Sequence, residues 1–300
     1  MNSLSLIIPI LTALFWACVP YIFTKAQSKI GVNQLNVDRL IFAATFLGLI
    51  LIFKPTSFNI SFQQIIFLVL SGIIGLSIGD YFLFSSYRRI GPRYSMILMS
   101  LAPIFSCIGA RFIFNEKLGI MSIIGIILTI IGILIVISRQ NNGKQTNENK
   151  SEKIKLKNLT FGLFAALGQA IALLCVKKSF LLGEIDSILA TFIRLISVGI
   201  LLMLGLTFFK KYKNPFILYK EDKYTLKLVL SGTLIGPVCG ITLSVLSLNY
   251  IPVSIAQTLF ATSPIFMLPI SHFIFNDKVT FGSIIGVLVA ITGVAFLFIF

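Results

Sequence analysis

The stretch SLAPIFSCIGARFIFNEKLGIMSIIGIILTIIGILIV, residues 100–136, returns later in the chain as ATSPIFMLPISHFIFNDKVTFGSIIGVLVAITGVAFL, residues 261–297. APIF at 102–105 falls on SPIF at 263–266, RFIFNEK at 111–117 on HFIFNDK at 272–278, and SIIG at 122–125 on SIIG at 283–286. Compositional bias would match Ile with Ile and Phe with Phe. It would not bring Pro103 onto Pro264, or Asn-Glu-Lys onto Asn-Asp-Lys, in register. The chain therefore reads as an internal duplication. The same shift carries outward, taking Gly75, Gly79 and Gly132 onto Gly236, Gly240 and Gly293, and Ser86 onto Ser247. Slightly smaller shifts set Arg39 on Arg194 and, two residues smaller again, Leu14 on Leu167 and Trp16 on Gln169.

Of the 300 residues, 57% are hydrophobic and 12% charged, against about 25% charged in an ordinary soluble domain. Mean hydropathy is +0.98. So much apolar surface cannot be hidden in one aqueous core, which excludes a soluble enzyme, a disordered chain and a disulfide scaffold. A polytopic membrane protein remains. The net charge of +15 gathers at the ends of apolar runs, as membrane topology requires. No soluble basic domain exists to hold nucleic acid, so none is expected as a partner. Cys18, Cys107, Cys175 and Cys239 all lie inside apolar runs with no metal-ligand spacing, and His272 is the single His. No metal or other cofactor is expected.

The first half holds apolar runs at roughly 4–24, 36–53, 62–87, 94–114 and 120–138, each long enough for a spanning helix. The second holds runs at roughly 158–181, 187–209, 226–249, 253–275 and 281–300. Residues 139–157 between them are polar and basic and read as a flexible linker. The runs do not alternate and are twice the length of a barrel strand, so helices must satisfy the backbone. MNSLSLIIPILTALFWACVPYIF lacks a basic n-region and a small-residue cleavage site, and reads as a retained first span. The expected fold is all-α, with ten transmembrane helices in repeats 1–138 and 158–300. Five spans per repeat is an odd number, so the second copy must be inverted. Inverted repeats build secondary transporters around a midplane site.

Each half ends in a helix with a mid-span Pro, a terminal Asn-Glu/Asp-Lys and a Gly-spaced final helix, and the first half also carries GDYFLFSSYRRIG at 79–91. In these features the whole chain resembles the EamA family of the drug/metabolite transporter superfamily. Asp277 stands where that family usually has Glu. The resemblance implies secondary transport of a small polar metabolite, amino-acid or related metabolite efflux above all, in a cell membrane. Protons are the candidate coupling ion, and the oligomeric state is left open. A membrane-embedded transferase would cluster His, Asp or Glu at one membrane face, which this scattered set does not do. A scaffold or channel subunit has no need of inverted repeats.

Most of the Lys and Arg fall in loops after odd-numbered spans, which puts those loops in the cytoplasm and both termini outside. The resemblance implies the reverse orientation.

Asp80 is the carboxylate set well inside a predicted span, roughly 12 Å of helix before Arg88. An ionisable group at that depth points to function: it could bind a substrate ammonium, carry a proton, or pair with Arg39 or Arg88. Arg39 and Arg194 begin equivalent helices from opposite faces. Each could hold a substrate carboxylate, or else snorkel to the headgroups or pair with Asp38. Trp16 and its counterpart Gln169 sit mid-span, with Tyr81, Tyr87 and Gln257 as further candidate cavity-lining groups. Gly75, Gly79, Gly236 and Gly240 form small-residue faces for close helix approach. Pro103 and Pro264 would bend their helices as pivots or as fixed kinks. Glu116, Asp277 and His272 sit near helix ends, where capping and interfacial roles are expected.

Overall fold

In a computed structural model, residues 3–54, 60–116, 119–139, 156–275 and 280–299 are described, and within them the regular structure is all helix, with no strand. The first half runs α1 (Ser3–Ile30), α2 (Val32–Phe53), α3 (Phe62–Gly72), a π-helical turn (Ile73–Gly79), α4 (Asp80–Met99), α5 (Ala102–Phe114) and α6 (Ile120–Arg139). The second runs α7 (Leu156–Leu181), α8 (Ser187–Phe208), a short α9 (Pro215–Glu221), α10 (Lys223–Thr233), a second π-helical turn (Leu234–Ile241), α11 (Thr242–Ser247), α12 (Val253–Phe260), α13 (Ser263–Phe275) and α14 (Phe281–Ile299). Most of the linker, residues 140–155, lies outside the described residues, as do Asp277 and Lys278. The side chain of His272 does too.

Among the described residues, six helical stretches are long and apolar enough to cross a membrane: Ile7–Ile30, Val32–Phe53, Phe62–Gly91, Asn158–Leu181, Ser187–Phe208 and Lys223–Ser247. Shorter apolar helices occupy Ala102–Phe114, Ile120–Ile135, Val253–Met267 and Phe281–Phe296. The outer surface is apolar as well, with Ile52, Phe112, Leu204 and Leu288 exposed. A bundle apolar on both its inside and its outside belongs in lipid, and the chain is a polytopic membrane protein.

Local sequence sets the breaks. Gly31 (φ 83°) separates α1 from α2, and Gly91 (φ 79°) kinks α4; both adopt backbone that favours glycine. Ser61 opens α3 with a capping box to Gln64, and the Asp186 carboxylate accepts from the amides of Ile188 and Leu189 at the start of α8. Three expectations need correction. The runs 94–114 and 253–275 are not single bent helices: each breaks, at Ser100–Leu101 and Ala261–Thr262, before a new helix starts. Pro103 and Pro264 therefore lie in the first turns of α5 and α13, where the missing amide is not needed. Finally, α1 extends to Ile30, and α9 forms where a loop was expected because Asn214 caps it ahead of Pro215.

Packing across the halves is antiparallel wherever glycines mark it. On α6 and α14, Gly132 meets Gly286 and Ala290, while Gly293 meets Gly125 and Thr129, so the early part of each helix lies on the late part of the other. On α2 and α8, Gly48 meets Phe192 and Gly199 meets Ile41. A core of Leu40, Leu47, Leu68, Leu76, Leu195, Val198, Val245 and Leu259 joins both halves.

Candidate functional site

The two π-helical turns stand at register-equivalent places, and each turns toward the first helix of the other half. Gly79 lies backbone to backbone against Gly168 of α7: a Cβ on Gly168 would stand 3.1 Å from the Gly79 Cα. Gly75 faces Ala172 of the same helix. On the other side Gly236 meets Val19 of α1, and Gly240 makes room for the edge of the Trp16 indole, 2.5 Å from where its Cβ would be. A π-helical turn inserts a residue into the helical frame and re-aims the side chains after it. Here the first one delivers Asp80 to the middle of the bundle.

Asp80 is buried, and its carboxylate accepts from Arg39 Nη2 at 2.5 Å. The Arg39 guanidinium also donates twice to Asn36 Oδ1, at 2.6 and 3.1 Å, and lies 4.9 Å from the centre of the Phe84 ring. Arg39 neither snorkels nor pairs with Asp38. Asp38 points elsewhere, accepting from Gln34, Tyr212 and Tyr219. That makes Asp38 a second buried carboxylate, two turns into α2. It fastens the segment before α10 to α2. Outside the membrane, burial first and then the Asp38 charge push the phenols of Tyr212 and Tyr219 up, so both stay protonated donors.

Arg194 is 1% exposed, and its Nε and Nη1 have no hydrogen-bond partner among the described residues. It stands beside Gly75, close to Gln169, and within electrostatic reach of Asp80. The two arginines thus approach one carboxylate instead of two membrane faces. They lie about two turns inside α2 and α8, and both are buried within the protein and not extended to its surface.

Asp80 and Arg39 open onto a cavity of about 140 Å³ between the halves. Trp16, Tyr87, Gln169, Gln257, Gly236 and Pro264 line it as well. Trp16 packs against Phe260, ring centres 5.3 Å apart, and the buried Gln257 Oε1 has no partner. Tyr81 is 44% exposed and lies off the cavity, against Phe82. Arg194 lies behind the lining. Gly75, Gly79, Gly240 and Pro103 are packing positions outside it.

Much of the wall comes in register-equivalent pairs: Met96 with Gln257, Met99 with Phe260, Ser100 with Ala261, Ala102 with Ser263, Asp80 with Ile241, and Trp16 with Gln169. Sequence reasoning missed Met96, Met99 and Phe260. They could have been found by carrying the repeat shift one turn outward from Pro103 and Pro264.

Cross-half bonds tie both ends of the bundle. At one end Lys29 pairs with Asp222 at 2.9 Å, and Gln34 holds the backbone of Lys213. At the other, Lys54 pairs with Asp186, Gln64 donates to the carbonyl of Gly183, and Glu116 caps α12 by accepting from Val253 N and Ser254 Oγ. Within the second half, Lys177 donates to the carbonyl of Leu248 at 2.6 Å. Among the described residues no group of His, Cys, Asp and Glu is placed to hold a metal ion.

A sequence profile described as the EamA-like transporter family matches residues 3–138 and again 156–299. A curated protein of Haemophilus influenzae, described as an uncharacterized transporter, is 29% identical over 127 residues. That match covers 41% of each chain, so this chain matches only about two fifths of that relative's length. A solved crystal structure superposes with a TM-score of 0.75 over 99% of this chain and 97% of its own, at 13% identity, which is a likeness of fold.

Proposed function

The chain belongs to the EamA-like transporter family, and from that premise we propose that it is a secondary carrier of a small polar metabolite. In this reading the ten apolar segments form two inverted five-helix repeats, 1–138 and 158–300, joined by a linker at 139–157. The repeats rock about the central cavity and open it to each side in turn. The antiparallel crossings of α6 with α14 and of α2 with α8 support the inversion. The observation that carries the reading is the cavity itself: a buried Arg39–Asp80 pair on a wall built from equivalent residues of both halves. Trp16, Tyr87, Gln169 and Gln257 would bind cargo, and the paired glycine faces would let helices slide closely past one another. Amino acids and related metabolites moving outward across the cell membrane are the cargo class proposed, with Asp80 as the candidate proton carrier.

The test is transport by purified protein in liposomes, with amino acids and related metabolites offered with and without a proton gradient. Saturable flux that is lost in Asp80→Asn is expected. If no solute moves, the reading fails. If flux proceeds unchanged in Asp80→Asn, the site assignment fails.

A further inference from the structure

We propose that the solute held in this cavity is a small organic monoanion, a carboxylate without a compensating ammonium, whose charge completes the buried arginine pair. The inference rests on the carrier reading above and, within its small polar metabolites, sets the amino acids aside in favour of simple carboxylates. Two arginines occur at equivalent places, but the carboxylate was not duplicated: the counterpart of Asp80 is Ile241, which lines the same cavity. Asp80 is bonded to Arg39, and that ion pair closes on itself. Arg194 is then left with a full positive charge, two unpartnered nitrogens and 1% exposure. It lies behind the cavity lining, beside the wall residue Gln169, so its charge acts on a solute through the field in the cavity and not by a direct bond; an unpartnered buried charge is strongly unfavourable, and an anion in the cavity offsets it.

No other described acid can serve. Asp38 is held by Gln34, Tyr212 and Tyr219, and Glu116 by the start of α12. Its near polar neighbours are Gln169 and the Cys175 thiol. A zwitterion would bring an ammonium for which the cavity holds no free carboxylate. On the cavity wall the buried Gln257 Oε1 is unpartnered among the described residues and suits a neutral donor such as a hydroxyl. The volume of about 140 Å³ is close to the cavity of about 150 Å³ that takes a benzene-sized guest.

Lactate and alanine make a matched pair of probes, differing only in hydroxyl against ammonium. Uptake of each into proteoliposomes at clamped membrane potential is compared, and binding is read in detergent from the emission of Trp16, the sole Trp. Wild-type protein is expected to favour lactate by roughly tenfold or more, because like charge beside a buried arginine is costly. Arg194→Gln should weaken the lactate titration by a similar factor, and Arg194→Lys should restore part of it. Alanine carried or bound as well as lactate overturns the inference and leaves the carrier reading standing. Unchanged lactate binding in Arg194→Gln overturns it too. If neither these probes nor any wider set of solutes moves, the carrier reading falls and the inference with it.

Discussion

Asp80 lies between two guanidinium groups and is bonded to one of them, so its loss strands two buried positive charges instead of one. Asp80→Asn is expected to cut transport at least tenfold while the protein still inserts, since an uncompensated buried charge costs several kcal/mol; flux with unchanged insertion is the measurement. Gly240 leaves space for the Trp16 indole, and Gly240→Ala should push that ring toward the cavity. Because Trp16 is the only Trp, a shift in emission maximum reports the movement directly. At the membrane edge, burial raises the Asp186 pKa, but Lys54 and the amides of Leu189 and Ile188 outweigh it and hold the carboxyl below its usual range. Its contribution is therefore present above the ordinary carboxylate value of about 4 and fades as pH falls through the lower folded value. Asp186→Ala should cost about 1 kcal/mol near neutral pH, as for a lost helix cap. The difference between the two proteins in thermal unfolding should vanish in acid. At this scale the sequence was partly readable. A carboxylate inside an apolar run marked Asp80, and seven residues of helix bring Tyr87 back to the same face, whereas Tyr81 one residue on is turned aside. The meeting of Arg39 with Arg194 was not readable, because boundary errors of a few residues decide whether an arginine snorkels or is buried.

Among the elements, α6 and α14 make the tightest crossing. A Cβ on Gly132 would stand 2.3 Å from the Ala290 amide nitrogen, and one on Gly293 2.4 Å from that of Thr129. Backbone cannot yield as a side-chain tip can, so Gly132→Val should destabilise the bundle by about 1–3 kcal/mol. Gly205→Val, in a position with nothing within 4 Å, is the control. Thermal unfolding in detergent compares them, and equal melting temperatures would contradict the crossing. The glycines themselves were legible as small-residue faces at repeating positions. Small residues four apart also mark their partners, Gly168 and Ala172 on α7 and Gly286 and Ala290 on α14. The π-helical turns were not legible, since an inserted residue leaves no signature in a run of Ile, Leu and Gly. The broken fourth and ninth spans were missed for a related reason: Pro is compatible both with a mid-helix kink and with a first turn, and the choice is made by packing.

For the molecule as a whole, the duplication and the membrane class stood in the sequence, because register matches of Pro, Asn and Lys cannot arise from composition. The cavity's contents did not, because they depend on which faces of separate helices converge. On orientation, charge and the family resemblance point opposite ways, and the charge reading is the one put to test. The basic residues crowd the loops after odd-numbered segments, so a C-terminal reporter is expected to be active only outside the cytoplasm. Activity in the cytoplasm alone would reverse that assignment. The central claim is that one cavity between the halves serves both sides of the membrane. Ser100 lines that cavity and is buried, and Ser100→Cys can be labelled with a membrane-impermeant maleimide once Cys18, Cys107, Cys175 and Cys239 are replaced by Ala. The account predicts labelling when the reagent is applied from either side of oriented vesicles, with a saturating cargo changing the two rates in opposite directions. Labelling from one side alone, under all conditions, would contradict it.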